Sequence, residues 1–376
     1  MLIAPLARVV ALLASVVLFV FVGAGASALA ATVQGPEFAP DVRLSQLHVT
    51  RSERGMTTVI HWKGPNRYRS VQRVDLDPRD DLYVADVAGS TLSFGEGLPG
   101  AVRDLQVSRN AQQVTPDGWS SLDAELMHWA WPFIARVRSG TITLDRVTVG
   151  GRALLRGTIP LAANQCAGYG VGTRTIHLDP RTLVPVRILE RRGRTVDLNA
   201  TITSRRAQAS DFARLRVVSR QSVRDEKYVR QTLAQANATA TWPIAMPTAL
   251  PAGFTMAALG TAPQGGYLGP EGSFPRSRGV FFAKWTYGLE VLDLTIRPAR
   301  STLTRDWDLS DPFGGECTTS TDSEVMVGPI TAKYAQGENG SPRLWWRDGT
   351  TLYTLSGPFS AEQLATVARS LAPVTA

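Results

Sequence analysis

The chain has 376 residues, 44% of them hydrophobic and 19% charged, which excludes a disordered polypeptide and supplies apolar material for one large core or two ordinary ones. Lys+Arg 40 against Asp+Glu 32 gives a formal charge of +8, but only Lys63, Lys227, Lys284 and Lys333 are lysines and the cations are interleaved with acids. Without a run of like charge the chain does not read as a nucleic-acid binder; the balance offers a modest attraction to anionic headgroups, enough for peripheral membrane association.

Residues 1–30 carry Arg8, then an uncharged apolar stretch over 9–22, then the small residues Gly23 to Ala30 with Ala28 and Ala30 in an Ala-x-Ala arrangement. This is the pattern of an export signal cleaved after Ala30. The apolar stretch from Val9 to Ala31 also suffices for an uncleaved anchor. Either way the remainder is expected outside the cytoplasm, in the periplasm or cell envelope. Cys166 and Cys317 are the only cysteines, and in an exported chain they either form a disulfide or stay as two buried thiols.

Over 44–203 short alternating or β-branched runs are separated by Gly, Pro, Asn and Asp. Strands are predicted at 44–50, 57–62, 68–76, 82–88, 104–108, 133–138, 141–149, 152–159, 173–178, 185–190 and 195–203. So many strands at short spacing predict an antiparallel barrel or sandwich. One segment breaks the period: from Ser120 to Trp131 a Ser with Asp three residues later opens a helix, Leu122, Leu126 and Trp129 share a face, and Pro132 closes it. Such a helix is expected against a sheet or across a barrel mouth, either as core or as a lid touching ligand.

A helical or mixed stretch at 209–236 leads to a linker at 241–252 marked by Pro243, Pro247 and Pro251. Beyond it strands are predicted at 254–259, 280–285, 290–296, 324–327, 330–334, 344–346 and 352–355, with a tight turn at Asp348-Gly349. Ser360-Ala361-Glu362-Gln363 is a capping box for a terminal helix with Leu364, Val367, Ala368 and Leu371 on one face. The organisation expected is a signal at 1–30, a β domain at 31–240 and a smaller α+β domain at 253–376.

No nucleophile elbow, zinc-protease helix, phosphate-binding loop or paired Cys-x-x-Cys is present. Gly168-Tyr169-Gly170-Val171-Gly172 precedes a predicted strand, the wrong context for a dinucleotide cradle. His48, His61, His128 and His177 stand apart in sequence and are expected as isolated surface residues, whereas zinc needs three or four converging ligands. No catalytic residue, metal or cofactor is expected. What does stand out is aromatic: Trp119, Trp129, Trp131 and Phe133, with Leu122 and Leu126, gather at the one helix of the β-rich domain. They form the candidate surface for an acyl chain, since each buried CH₂ contributes about 0.8 kcal/mol. Trp345 and Trp346 are consecutive on one strand and face opposite sides, so one is expected to leave its sheet's core and serve a partner interface.

Val147-Thr148-Val149-Gly150-Gly151-Arg152-Ala153, followed by Thr173 to Leu178 and Asp179-Pro180-Arg181-Thr182-Leu183-Val184-Pro185, resembles the LolA-like superfamily. Leu250-Pro251-Ala252-Gly253-Phe254, Leu344-Trp345-Trp346-Arg347-Asp348-Gly349, Tyr353 to Gly357 and 365–371 resemble the C-terminal domain of RseB/MucB-type sigma-E regulatory proteins. The resemblance implies a half-open antiparallel β-barrel with a helical lid, then a smaller α+β domain. It also implies a non-enzymatic exported binder of acylated lipid or lipoprotein that acts on a membrane anti-sigma factor. A lipid or lipoprotein carrier is the alternative, and a secreted hydrolase with an unrecognised site is the second.

Overall fold

The computed structural model describes residues 32–33, 38, 44, 46–63, 67–74, 81–88, 91–98, 101–109, 126–162, 170–214, 216–224, 229–240, 242–262, 280–298, 323–336 and 342–374. The export signal, Trp119, Leu122, Cys166 and Cys317 lie outside these residues.

The first sheet is built from β1 (Thr32–Val33), β2 (Leu47–Glu53), β3 (Met56–Trp62), β4 (Arg67–Val74), β5 (Asp81–Ala88), β6 (Thr91–Leu98), β7 (Ala101–Arg109), β8 (Leu144–Val149), β9 (Arg152–Leu161), β10 (Gly172–Leu178), β11 (Pro185–Arg192), β12 (Thr195–Arg205) and β13 (Val217–Arg224). Their order is β1-β8-β9-β10-β11-β12-β2-β3-β4-β5-β6-β7-β13. All pairs are antiparallel except β13, which runs parallel to β7. The mainly antiparallel β architecture is as expected; among the described strands, however, the order has two ends and the sheet does not close into a barrel.

Local chemistry accounts for the turns. β2 and β3 meet at Arg54-Gly55, where Gly55 has φ +69°, a region glycine enters without steric cost. Between β10 and β11, Asp179 Oδ1 accepts from the backbone N–H groups of Arg181 and Thr182, each at 3.0 Å. This Asx turn is the physical content of the Asp-Pro-x-Thr motif.

Among the described residues the α-helix of this unit is α1 (Trp131–Arg138), preceded by a 3₁₀ turn at Met127–Trp129. Two expectations are corrected here. Pro132 does not end a helix: it sits in the first turn of one, where its missing N–H is not needed. Residues 133–138 form no strand but continue α1; Ala135-Arg136-Val137-Arg138 alternates like a strand, while the fold buries all eight residues of the helix, both arginines included. Leu126, Trp131, Phe133, Ile134 and Val137 pack with Val49, Ile60, Ile159, Ile176, Ile188 and Ile202 into one apolar core.

The second unit holds β14 (Val229–Arg230), α2 (Leu233–Thr239), β15 (Ala245–Pro247), β16 (Thr255–Ala262), β17 (Val280–Tyr287), β18 (Glu290–Pro298), β19 (Ser323–Val327), β20 (Ile330–Ala335), β21 (Arg343–Asp348), β22 (Thr351–Ser356), α3 (Ala361–Arg369) and β23 (Leu371–Pro373). Eight of them form a sheet in the order β14-β16-β17-β18-β22-β21-β20-β19, and β15 pairs with β23. The segment 209–236 is mixed, as expected: a 3₁₀ turn, two strands and the start of α2. Within the stretch expected as a linker, Ile244 and Ala245 join this unit's core. The predicted box caps α3: Ser360 Oγ accepts from Gln363 N–H, and Gln363 Oε1 accepts from Ser360 N–H at 3.0 Å.

Candidate functional site

Of the residues expected to contact an acyl chain, Leu126, Trp131 and Phe133 are filled in by their own neighbours. The approach is closest at β9, where a Cβ on Gly157 would come within 2.5 Å of Leu144 and 2.9 Å of Phe133. Trp129 is only partly buried, and its ring is covered by cations: the guanidinium of Arg174 lies 4.5 Å and that of Arg51 5.4 Å from its centre. Arg174 is itself paired with Glu190, and Arg51 with both oxygens of Glu53 at 2.9 and 3.0 Å. Trp129 thus packs against the apolar core and is flanked by two guanidinium groups that are themselves paired with carboxylates.

At the far end of α1 the two units meet. Arg138 donates from Nη2 to Glu290 Oε1 at 2.5 Å, from Nη1 to the carbonyl of Pro358, and from Nε to the carbonyl of Phe38 at 3.3 Å. Its guanidinium also stands 5.5 Å from the Phe359 ring. The pair is almost fully enclosed, with side chains 6% and 8% exposed. Flanking it, Leu289 and Val291 belong to the same apolar core as α1. One helix therefore fills the first sheet and clamps the β17–β18 turn of the second unit.

The opposite face of the first sheet is different. Register places Arg205 beside His48, His48 beside His61, and His61 beside Arg69, on the adjacent strands β12, β2, β3 and β4. A strap with a 3₁₀ turn at Ala209–Phe212 crosses this row. Asp211 from the strap accepts from Arg205 Nη2 at 2.6 Å and Nη1 at 2.8 Å, and from Gln208 N–H at 2.7 Å. Arg69 Nη1 donates to the carbonyl of Ala213 at 2.6 Å, and the Arg67 guanidinium sits 4.4 Å from the Phe212 ring. His48 Nδ1 and His61 Nδ1 are 2.9 Å apart, and Asp211 Oδ1 is 3.7 and 3.8 Å from them. Among the described residues this is the one group of three His, Cys, Asp or Glu side chains placed to hold a metal ion.

Electrostatics set the protonation of the cluster. Burial lowers His61 to about 4, with His48, Arg69 and Arg205 adding to the effect and Asp211 opposing it. His48 is lowered by burial and by Arg205, again against Asp211. The hydrogen bond from Arg205 holds the Asp211 carboxyl far below the usual carboxylate range. At neutral pH the cluster is thus two neutral imidazoles, one carboxylate and guanidinium groups.

The expectation of four isolated histidines is therefore corrected for His48 and His61. The signal was present: a hairpin turning at Arg54-Gly55 pairs residues whose numbers sum to 109, which sets 48 against 61. Asp211 had no such signal, because only tertiary folding brings the strap over the sheet. His177 lies away from them, on β10 beside Arg187.

A second correction concerns Trp345 and Trp346. They do face opposite sides, but both are enclosed, at 1% and 4% exposure. Trp346 enters the apolar core and stacks on Tyr353 with ring centres 5.1 Å apart. Trp345 lies on the other face with Arg343, whose guanidinium is 5.9 Å from its ring. The strand alternates as predicted; the second face is covered too, so neither ring offers itself to a partner.

No protein-family model matches the chain, and no curated protein matches it. It is similar to solved structures of MucB in complex with MucA(peri) and of the Pseudomonas aeruginosa MucA/MucB complex. Identity is 15% in each, 88% of this chain and 94% of theirs are covered, and the TM-scores are 0.26 and 0.25. No helix among the described residues is long and apolar enough to cross a membrane.

Proposed function

We propose that the chain is an exported, non-enzymatic two-module regulator of the RseB/MucB type, which binds the extracytoplasmic part of a membrane anti-sigma factor. Two things support this reading. The sequence resembles LolA-like proteins in its first half and RseB/MucB-type proteins in its second. The observation that carries it is the clamp of α1 on the second unit through the buried pair Arg138–Glu290, which joins the two modules.

Crosslinking of the mature chain in its native envelope, followed by mass spectrometry, tests the proposal. The expected product is a single-span protein with an exported tail and a sigma-binding cytoplasmic domain. That tail, made separately, should bind the wild-type chain and bind Glu290→Gln at least tenfold more weakly. Recovery of no membrane protein, or of a tail indifferent to Glu290→Gln, would contradict it.

A further inference from the structure

We propose that His48, His61 and Asp211 form a binding site for a divalent cation of the zinc class, which ties the strap at 207–214 to the β2–β3 hairpin. The geometry is specific. His48 Nδ1, His61 Nδ1 and Asp211 Oδ1 form a triangle with sides of 2.9, 3.7 and 3.8 Å. The circle through three such points has a radius of about 2.0 Å, the length of a zinc bond to imidazole nitrogen or carboxylate oxygen. An ion at or just above its centre reaches all three donors once Arg205 Nη2 withdraws, and its fourth position stays open to water or to a ligand from a partner.

The donor set fits this class of ion. Two imidazole nitrogens and one carboxylate suit zinc and its neighbours, whereas calcium and magnesium prefer oxygen alone. Both rings are neutral at pH 7 and the carboxylate is ionised, the protonation states that ligation requires. Outer partners are in place: Thr50 Oγ1 lies 3.4 Å from His48 Nε2, and Arg205 Nη1 donates to Asp211 Oδ2 at 2.8 Å. In the metal-free pair one proton lies between the two Nδ1 atoms; ligation moves it to the Nε2 of the same ring, with no net proton release.

The positions of the donors are fixed by the fold. Two come from directly paired residues of one hairpin. The third is held by the reciprocal hydrogen bonds of Gln208 and Asp211 and by the bond from Arg69 to Ala213. The competitor is Arg205, whose Nη2 stands 3.2 Å from His48 Nδ1. That side chain is 45% exposed, so the guanidinium can give up its contact with His48 while Nη1 keeps Asp211 Oδ2. Arg69, on the other side of His61, adds a second positive charge that weakens the site.

The test uses the untagged mature chain, stripped with a chelator and titrated with zinc chloride against a chromophoric competitor at pH 7.5. One zinc per chain is expected, with X-ray absorption showing nitrogen and oxygen neighbours near 2.0 Å. Affinity should fall at least about 100-fold in His61→Gln and rise in Arg205→Ala. In the wild-type chain, nitrogen-15 spectra should show the Nδ1 resonances of two histidines shifting together on zinc addition, a readout that needs no variant to fold. Absence of zinc binding, sulfur neighbours in the absorption spectrum, or unchanged affinity in His61→Gln would overturn the proposal.

Discussion

The two faces of the first sheet are closed by different physics. On one, α1 seals the strands with Trp131, Phe133, Ile134 and Val137, an arrangement held by apolar burial and close contact. On the other, the strap closes over a row of Arg205, His48, His61 and Arg69 through one carboxylate and a few directed hydrogen bonds. Burial is indifferent to pH and to ions, while the strap depends on protonation and, by the inference above, on a metal. One sheet thus carries a permanent attachment and a conditional one back to back, a single residue apart along the same strands.

The α1 face should be the most sensitive to substitution. Phe133→Ala should cost about 3–5 kcal/mol in urea unfolding, because it removes a fully buried ring and leaves a cavity against Gly157. The loss should be the same at pH 5 and pH 7.5, which no substitution on the strap face should match.

Next comes the clamp between modules. Glu290→Gln keeps the shape but leaves the buried guanidinium of Arg138 without its counter-charge, and roughly 3 kcal/mol should be lost. Thermal unfolding of the variant against wild type, at matched pH and salt, measures it.

The strap face should answer to pH. His61 is held neutral down to about 4, so between its ordinary value of 6.5 and that point the unfolded chain takes up a proton that the folded chain refuses. Stability is therefore fully present above pH 6.5 and declines as pH falls toward 4, by roughly 1–2 kcal/mol once solvent screening is allowed for. Thermal midpoints across that range should slope in wild type and slope less steeply in His61→Gln, where His48 and His177, also lowered by burial, keep the remainder. The smallest effect belongs to the α3 cap: Ser360→Ala should cost about 1 kcal/mol, seen as a small drop in the urea midpoint.

What was legible in the sequence was local. Gly55, the Asp179 turn and the Ser360 box act within a few residues of themselves, and their strands and helix stand where alternation and capping put them. β6 escaped notice because Thr91–Leu98 contains two glycines, which read as loop until neighbours on both sides supply the ladder. In α1 the alternation of Ala135-Arg136-Val137-Arg138 imitates a strand, because both arginines are buried and the helix shows no polar face. The joining of β12 to β2 and the parallel pairing of β13 with β7 span long stretches of chain, which no local pattern announces. The same holds for the metal-competent cluster: the two histidines were within reach of a register argument, whereas Asp211 and Arg205 arrive by tertiary contact.

Hydrogen exchange read by mass spectrometry on Glu290→Gln bears most directly on the coupling of the modules, at α1 in the first and at β17 and β18 in the second. Both regions should lose protection together while β19 and β20, far from the clamp in strand order, keep theirs. Loss confined to one side of the Arg138–Glu290 pair, or wild-type protection on both, would mean that the two modules work independently.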